Sequence, residues 1–163
     1  QFARLLGANG FQQWLLEEAL DDLVAGASER MLMLSSGQFS LERDGKQFAV
    51  RDHRNADDLR PIKTLSGGET FLASLSLALA LADNVAALSA TGAPRLESMF
   101  LDEGFGSLDP ETLDVVASAI EELGASGRMV GVVTHIRELA DRLPVRYEVR
   151  KLPDGSVVER IDR

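Results

Sequence analysis

The stretch of sequence that decides the fold is SMFLDEGFGSLDPETLDVVASAIEEL, residues 98–123. Its opening apolar run ends abruptly at Asp102 and Glu103, which predicts a buried strand that delivers two carboxylates to the edge of a sheet. A few residues later, Asp109 and Pro110 form an N-cap and first-turn pair, which predicts the start of a helix. The stretch therefore predicts a strand, a short loop and a helix.

A second apolar run, 129–133, follows the helix and predicts another buried strand, which ends at Thr134 and His135. Two strands joined by a helix are typical of an α/β fold, in which ligands bind at the carboxyl ends of the strands. An aspartate beside a glutamate at that edge fits Mg²⁺ binding and water activation in phosphoryl transfer. Two plainer interpretations stay open: an ordinary change of polarity after a strand, and a solvated histidine.

Upstream lies TLSGGET, residues 64–70, which precedes a long apolar helical pattern. Ser66 and Glu69 have the spacing of a capping box, which by itself explains the motif. Yet Gly67 and Gly68 at a helix N-terminus also expose backbone amides that can bind an anion such as phosphate. The two interpretations are compatible.

The remaining segments are less distinctive. Apolar residues at helical spacing between Phe11 and Met31 predict one amphipathic helix. A period of two predicts a hairpin over 39–50, and a second hairpin closes the chain over 146–158. The polar stretch 52–63 between the first hairpin and TLSGGET is predicted to be a loop.

Composition excludes several classes of protein. The chain has 163 residues, of which 45% are hydrophobic, and it has no cysteine and only two histidines, which argues against disulfides and zinc clusters. The longest apolar run falls short of the roughly 20 residues that a membrane span needs, and no signal-peptide pattern opens the chain. The net charge of −9 argues against extensive wrapping of nucleic acid. A reducing cytoplasm, with no membrane partner, is the expected location.

The order of these motifs resembles the C-terminal half of an ABC-type ATPase head: signature, Walker B, D-loop and H-loop. Glu69 stands where transporters usually carry glutamine, and a glutamate at this position resembles the signature of the chromosome-maintenance and DNA-repair branch. Within that branch, RPIKT at 60–64 and LDEGFGSL at 101–108 resemble the SbcC-like proteins most. The resemblance covers the chain from about Leu34 to its end.

The resemblance implies a fold and a set of roles. The fold would be α/β, a C-terminal head lobe at 35–163 with a mostly parallel sheet flanked by helices and a hairpin, preceded at 1–34 by a helix from the base of a coiled coil. The implied ligands are ATP and Mg²⁺. The implied site residues are Asp102 for the metal; Glu103 for the attacking water; His135 for the γ-phosphate; Ser66, Gly67, Gly68 and Glu69 for ATP bound mainly to a second head; and Ser107 and Asp109 for the junction between heads.

One part of the family pattern has no match, because no stretch fits Gly-x-x-x-x-Gly-Lys-[Ser/Thr], the phosphate-binding Walker A loop. The chain would therefore need an N-terminal Walker A segment of the same protein as a partner. The resemblance also implies a second head, an SbcD-like nuclease and double-stranded DNA ends as partners. The expectation for this chain alone is negligible ATP hydrolysis.

Several alternatives stay open at this point. An SMC-type condensin or cohesin head and a RecN-like head would keep the same fold and ATP chemistry. A transporter ATPase component is disfavoured by Glu69. A scaffold head without turnover is disfavoured by Glu103. The basic residues between Arg51 and Lys63 are interleaved with aspartates and favour a solvated mixed surface over a DNA contact.

Overall fold

A computed structural model describes residues 8–45, 47–88, 98–125 and 127–163. The contacts within the chain form two compact units, 1–96 and 97–163, and each is described by itself. The first unit contains helix α1 (Ala8–Leu34), strands β1 (Phe39–Asp44), β2 (Gln47–Asp52) and β3 (Asp58–Pro61), a 3-10 turn (Ile62–Thr64) and helix α2 (Gly67–Leu88). The second contains β4 (Ser98–Asp102), a 3-10 turn (Phe105–Ser107), α3 (Pro110–Ala125), β5 (Met129–Val133), α4 (Arg137–Ala140), β6 (Val145–Leu152) and β7 (Gly155–Asp162).

The core of the first unit lies where α1 packs against α2 and β1. Only the second half of α1 takes part, because its buried apolar residues begin at Val24 whereas Phe11, Trp14 and Leu15 are exposed. The predicted helix and the predicted hairpin are both confirmed, but the prediction that the helix is amphipathic from Phe11 onward is wrong for its first half, whose apolar residues are not buried. The side chains that close this core are Val24, Ala27, Met31, Leu34, Leu41, Val50, Leu72, Leu75 and Leu79.

The prediction of a loop over 52–63 is wrong in its second half. Residues Asp58–Pro61 form β3, which pairs antiparallel with β2, and Ile62–Thr64 form the 3-10 turn. The pairing uses backbone groups and buries no side chain of β3, so the strand needs no apolar alternation. Pro61 is compatible with this strand because it lies at its end.

In the second unit, β4 and β5 pair in parallel and α3 packs against β5. The predicted strands and helix are present, but the prediction that both strands are buried is wrong. Phe100 is 72% exposed, and Met129 and Val133 are also exposed. The apolar face of α3, formed by Val116, Ala117, Ile120 and Leu123, is buried instead. A pair of strands with one packed helix leaves much of its apolar surface uncovered.

The strand pairing is less parallel than expected. Among the residues that the structure describes, β4–β5 is the one parallel pair, whereas β1–β2, β2–β3 and β6–β7 are antiparallel. The reason is connectivity, since strands joined by short turns pair antiparallel and, of the paired strands, only β4 and β5 are joined by a helix. The closing hairpin is confirmed as β6 and β7, and the α/β character of the second unit follows from β4–α3–β5. The predicted division of the chain at 34/35 stays a prediction.

None of the described helices is both long enough and apolar enough to cross a membrane.

Candidate functional site

The signature segment forms a complete capping box at the start of α2. The backbone N–H of Ser66 donates to a carboxylate oxygen of Glu69 at 2.7 Å, and the N–H of Glu69 donates to the Ser66 hydroxyl at 3.2 Å. Regular helical hydrogen bonding begins with the Thr70 N–H, which donates to the Ser66 carbonyl at 2.9 Å. The capping prediction is confirmed. Because Gly67 and Gly68 occupy the first turn, their N–H groups have no acceptor within the helix.

Glu69 has a second partner that sequence reasoning missed. Arg60, on β3, donates to both carboxylate oxygens of Glu69, at 2.8 and 3.2 Å, and also to the carbonyl of Thr64 at 2.8 Å. Burial alone would raise the pKa of Glu69, but the hydrogen bonds from Arg60 and from the Ser66 amide outweigh it and lower the pKa. Glu69 is therefore firmly ionised at neutral pH. The two residues are nine positions apart across a turn, and no periodic pattern connects them.

The second group of predicted residues lies at the carboxyl ends of β4 and β5. Asp102 ends β4 opposite Val133, and the Glu103 N–H donates to the Val133 carbonyl at 3.0 Å, so the backbone pairing continues one residue past the strand. Glu103 has φ +55°, a left-handed conformation that non-glycine residues rarely adopt, and Gly104 follows at φ +92°. Strained residues of this kind cluster at functional sites.

The structure brings Glu103 and His135 together. The Nδ1 atom of His135 lies 3.5 Å from a carboxylate oxygen of Glu103, and the two side chains are 73% and 61% exposed. A Cβ at position 106 would lie 3.6 Å from the His135 ring, so Gly106 also borders this pair. A carboxylate and an imidazole therefore face solvent side by side at the strand ends.

Ser107 and Asp109 are engaged in local structure. The Ser107 hydroxyl donates to the Gly104 carbonyl at 2.8 Å, and buried Phe105 anchors the intervening turn. Asp109 is the N-cap of α3, because its carboxylate accepts from the N–H of Thr112 at 3.0 Å and from the Thr112 hydroxyl at 2.7 Å. The bond from the Thr112 amide, followed by that from its hydroxyl, lowers the pKa of Asp109. The predicted cap is confirmed.

The described residues contain no cluster of three or more His, Asp or Glu side chains that could hold a metal ion. They therefore give no support for a metal site built from protein side chains alone. Mg²⁺ in nucleotide enzymes commonly uses one or two carboxylates together with phosphate oxygens and water. The exposed position of Asp102 at the end of β4 fits that mode.

Comparisons with known proteins show the family to which the chain belongs. A family model described as SbcC/RAD50-like, Walker B motif, matches residues 39–122, just over half of the chain. The chain belongs to this SbcC/RAD50-like family. The match spans both the capping box of α2 and the Asp102–Glu103 edge, which confirms the resemblance to the SbcC-like branch.

Two similar relatives are named as the SbcC component of the nuclease SbcCD. The one from Deinococcus radiodurans is 48% identical over 96% of this chain, and the one from Bacillus subtilis is 45% identical over 86%. The chain spans only 17% and 12% of the length of these two relatives.

Two solved structures with a similar fold come from SMC proteins. One, from work on ATP-driven dimerisation and DNA-stimulated activation of SMC ATPases, has a TM-score of 0.69 at 17% identity, over 91% of this chain and 88% of that one. Another, an SMC head bound to the C-winged helix domain of ScpA, has a TM-score of 0.69 at 19% identity, over 96% of this chain and 47% of that one. At such identities these likenesses show the fold alone, and they confirm the predicted α/β head lobe.

Proposed function

We propose that this chain is the C-terminal half of an ATP-hydrolysing head that dimerises on ATP and drives the processing of DNA double-strand ends in repair. The observation that carries the proposal is the Glu103–His135 pair, 3.5 Å apart and exposed at the ends of two parallel strands. At that edge of an α/β sheet a carboxylate can polarise water and an imidazole can contact a phosphate.

The roles at this edge follow from chemistry and position. Asp102 would bind Mg²⁺, which supplies charge stabilisation for phosphoryl transfer when bound. Glu103 would orient and polarise the attacking water, and His135 would donate to the γ-phosphate. The left-handed backbone at Glu103 supports its role, because it turns the chain sharply just after β4.

The signature would act on a different nucleotide. Ser66, Gly67 and Gly68 offer a hydroxyl and two helix N-terminal amides, which suit an anion such as the γ-phosphate of ATP bound mainly to a second head. Glu69 completes the cap that holds them. Ser107 and Asp109 would line the junction between the heads, so ATP would stabilise a dimer and hydrolysis would release it.

The partners in this proposal are those of an SbcC-like protein. A Walker A segment from the N-terminal part of the same protein would complete the nucleotide site. An SbcD-like nuclease and double-stranded DNA ends would use the head, in the cytoplasm. The exposed apolar residues of the first half of α1, including Phe11, Trp14 and Leu15, support its assignment to the base of a coiled coil.

The decisive experiment combines this chain with a Walker A segment by co-expression and measures dimerisation and hydrolysis with Mg·ATP. Glu103→Gln should lower hydrolysis by about a hundredfold or more while dimerisation persists, because one general base contributes on that order. Glu111→Gln, an exposed carboxylate in the first turn of α3, is the matched control and should hydrolyse normally. Unchanged hydrolysis in Glu103→Gln would refute the catalytic role.

Two further measurements test the split site. Ser66→Arg should abolish dimerisation on ATP, since a bulky cation would fill the space at the start of α2. The isolated chain should show no tight binding of Mg·ATP by titration calorimetry, because the Walker A amides and lysine are absent from its sequence. Tight binding by the isolated chain would contradict the proposal.

An SMC-type head is the second candidate, because it would keep the same fold, which the SMC structures share, and the same ATP chemistry. Capture of a nuclease partner by the reconstituted head would support the SbcC assignment. Capture of a kleisin-like bridging protein would support the SMC assignment.

A further inference from the structure

The ion pair between Arg60 and Glu69 does more than the capping box requires. The reciprocal hydrogen bonds between Ser66 and Glu69 already satisfy two donors at the start of α2. Arg60 adds a two-pronged contact to the same carboxylate, and both side chains are largely shielded, with 24% and 16% exposed. The cap therefore does not need the positive charge that Arg60 adds.

The charge of Glu69 affects what the first turn of α2 can bind. A glutamate in the first turn of a helix interacts favourably with the helix dipole, but its negative charge opposes any second anion that approaches the same amides. Arg60 brings a permanent positive charge into direct contact with that carboxylate. The first turn of α2 therefore keeps its cap without presenting a net negative charge.

The same guanidinium also fixes the chain before the cap. It donates to the Thr64 carbonyl at 2.8 Å, while the Thr64 hydroxyl donates to the Pro61 carbonyl at 2.8 Å. The turn between β3 and α2 is thus held to β3 at one end and to the cap at the other.

We propose that Arg60 is a positioning residue of the signature, which neutralises Glu69 and locks the cap so that the amides of Gly67 and Gly68 can receive a phosphate group. The inference rests on the proposed function, because it concerns the anion that the signature binds. It assigns a role to a residue outside the signature, acting through Glu69.

The test uses the reconstituted head and measures the ATP concentration that gives half-maximal dimerisation. Arg60→Ala should raise this concentration about tenfold at low salt, since an uncompensated charge then lies beside the phosphate. The double variant Arg60→Ala with Glu69→Gln should recover at least about threefold of this loss, because glutamine can still cap but carries no charge, whereas the contact to Thr64 stays lost. Arg60→Lys should fall between the unmodified head and Arg60→Ala, because it keeps the positive charge but cannot make the two-pronged contact.

A matched control is available in the same sheet. Arg51 makes a two-pronged contact with Glu42 and also donates to a backbone carbonyl, that of Asp57, so it makes the same kinds of contact as Arg60 but none with the signature. Arg51→Ala should leave the ATP concentration for dimerisation unchanged. Raising the ionic strength should shrink the Arg60→Ala effect, which loss of packing would not predict.

The outcomes separate the two proposals. If the unmodified head dimerises but Arg60→Ala dimerises equally well, or if adding Glu69→Gln fails to restore it, the role of Arg60 is refuted and the proposed function stands. If the unmodified head does not dimerise at any ATP concentration, the proposed function fails, and the role of Arg60 fails with it. Should Arg60→Ala not fold, Arg60→Gln, which also removes the positive charge but keeps most of the side-chain volume, and its combination with Glu69→Gln carry the same comparison.

Discussion

The left-handed backbone of Glu103 makes a prediction about stability that can be separated from catalysis. A non-glycine residue at φ +55° costs roughly 1–2 kcal/mol relative to an ordinary conformation, whereas glycine adopts it freely. Glycine also lowers stability by about 0.4–1 kcal/mol, because it gives the unfolded chain more conformational freedom. The two effects partly cancel, so the free energy of unfolding of Glu103→Gly should exceed that of Glu103→Ala by roughly 1 kcal/mol or less.

The assay is urea unfolding of the chain, followed by circular dichroism, for Glu103→Ala and Glu103→Gly side by side. Comparison with alanine removes the effect of losing the side chain. Ala56→Gly is the matched control, because Ala56 has φ +52° in the first unit, far from the predicted catalytic residues in sequence. It should gain a similar amount, whereas only the Glu103 variants should lose hydrolysis in the reconstituted head.

The opposite result would refute the reasoning. If Glu103→Gly is no more stable than Glu103→Ala while Ala56→Gly gains stability, Glu103 does not carry backbone strain. The idea that the sharp turn after β4 is retained for function would then have no basis.

Three further predictions concern local structure. Asp109→Ala should cost about 1 kcal/mol of stability in urea unfolding through loss of the α3 cap, whereas Asp109→Asn should cost much less. Gly131→Ala should destabilise the second unit by about 1 kcal/mol, because the added Cβ would overlap the exposed Phe100 ring and force it to rotate away, and Phe100→Ala should suppress this loss in the double variant. The pKa of Glu69 is lowered in the folded chain, so its contribution is fully present above the unfolded pKa and is lost as pH falls through the folded pKa. Denaturation midpoints should therefore show the unmodified chain above Glu69→Gln at pH 7, with the gap closing as the pH falls below 4.5, the ordinary pKa of a glutamate.

Local chemistry explains which features could be predicted from sequence. The Ser66–Glu69 box could be predicted from the spacing of its two residues, and the Asp109 cap from the Asp109–Pro110 pair that begins α3, because both depend on neighbours in sequence. The meeting of Glu103 and His135 could be predicted in outline, because parallel strands bring their carboxyl ends to one edge.

Other features depend on contacts that no short pattern encodes. Strand β3 forms by backbone pairing with β2 and has no apolar alternation of its own, so its polar sequence resembles a loop. The Arg60–Glu69 pair joins residues separated by a turn whose geometry the sequence does not specify. The left-handed conformation of Glu103 is equally hidden, because the residue type gives no sign of it.

The way the Ser66 hydroxyl takes part in the cap has a thermodynamic consequence. Its oxygen accepts the Glu69 N–H, and this contact uses a lone pair and leaves the hydroxyl proton available to donate. Capping and ligand binding therefore do not compete for the same atom. The first turn of α2 is already ordered by its own cap, so binding of an anion would not require the entropy loss of ordering it. A larger part of the free energy of each new hydrogen bond would therefore appear as binding affinity.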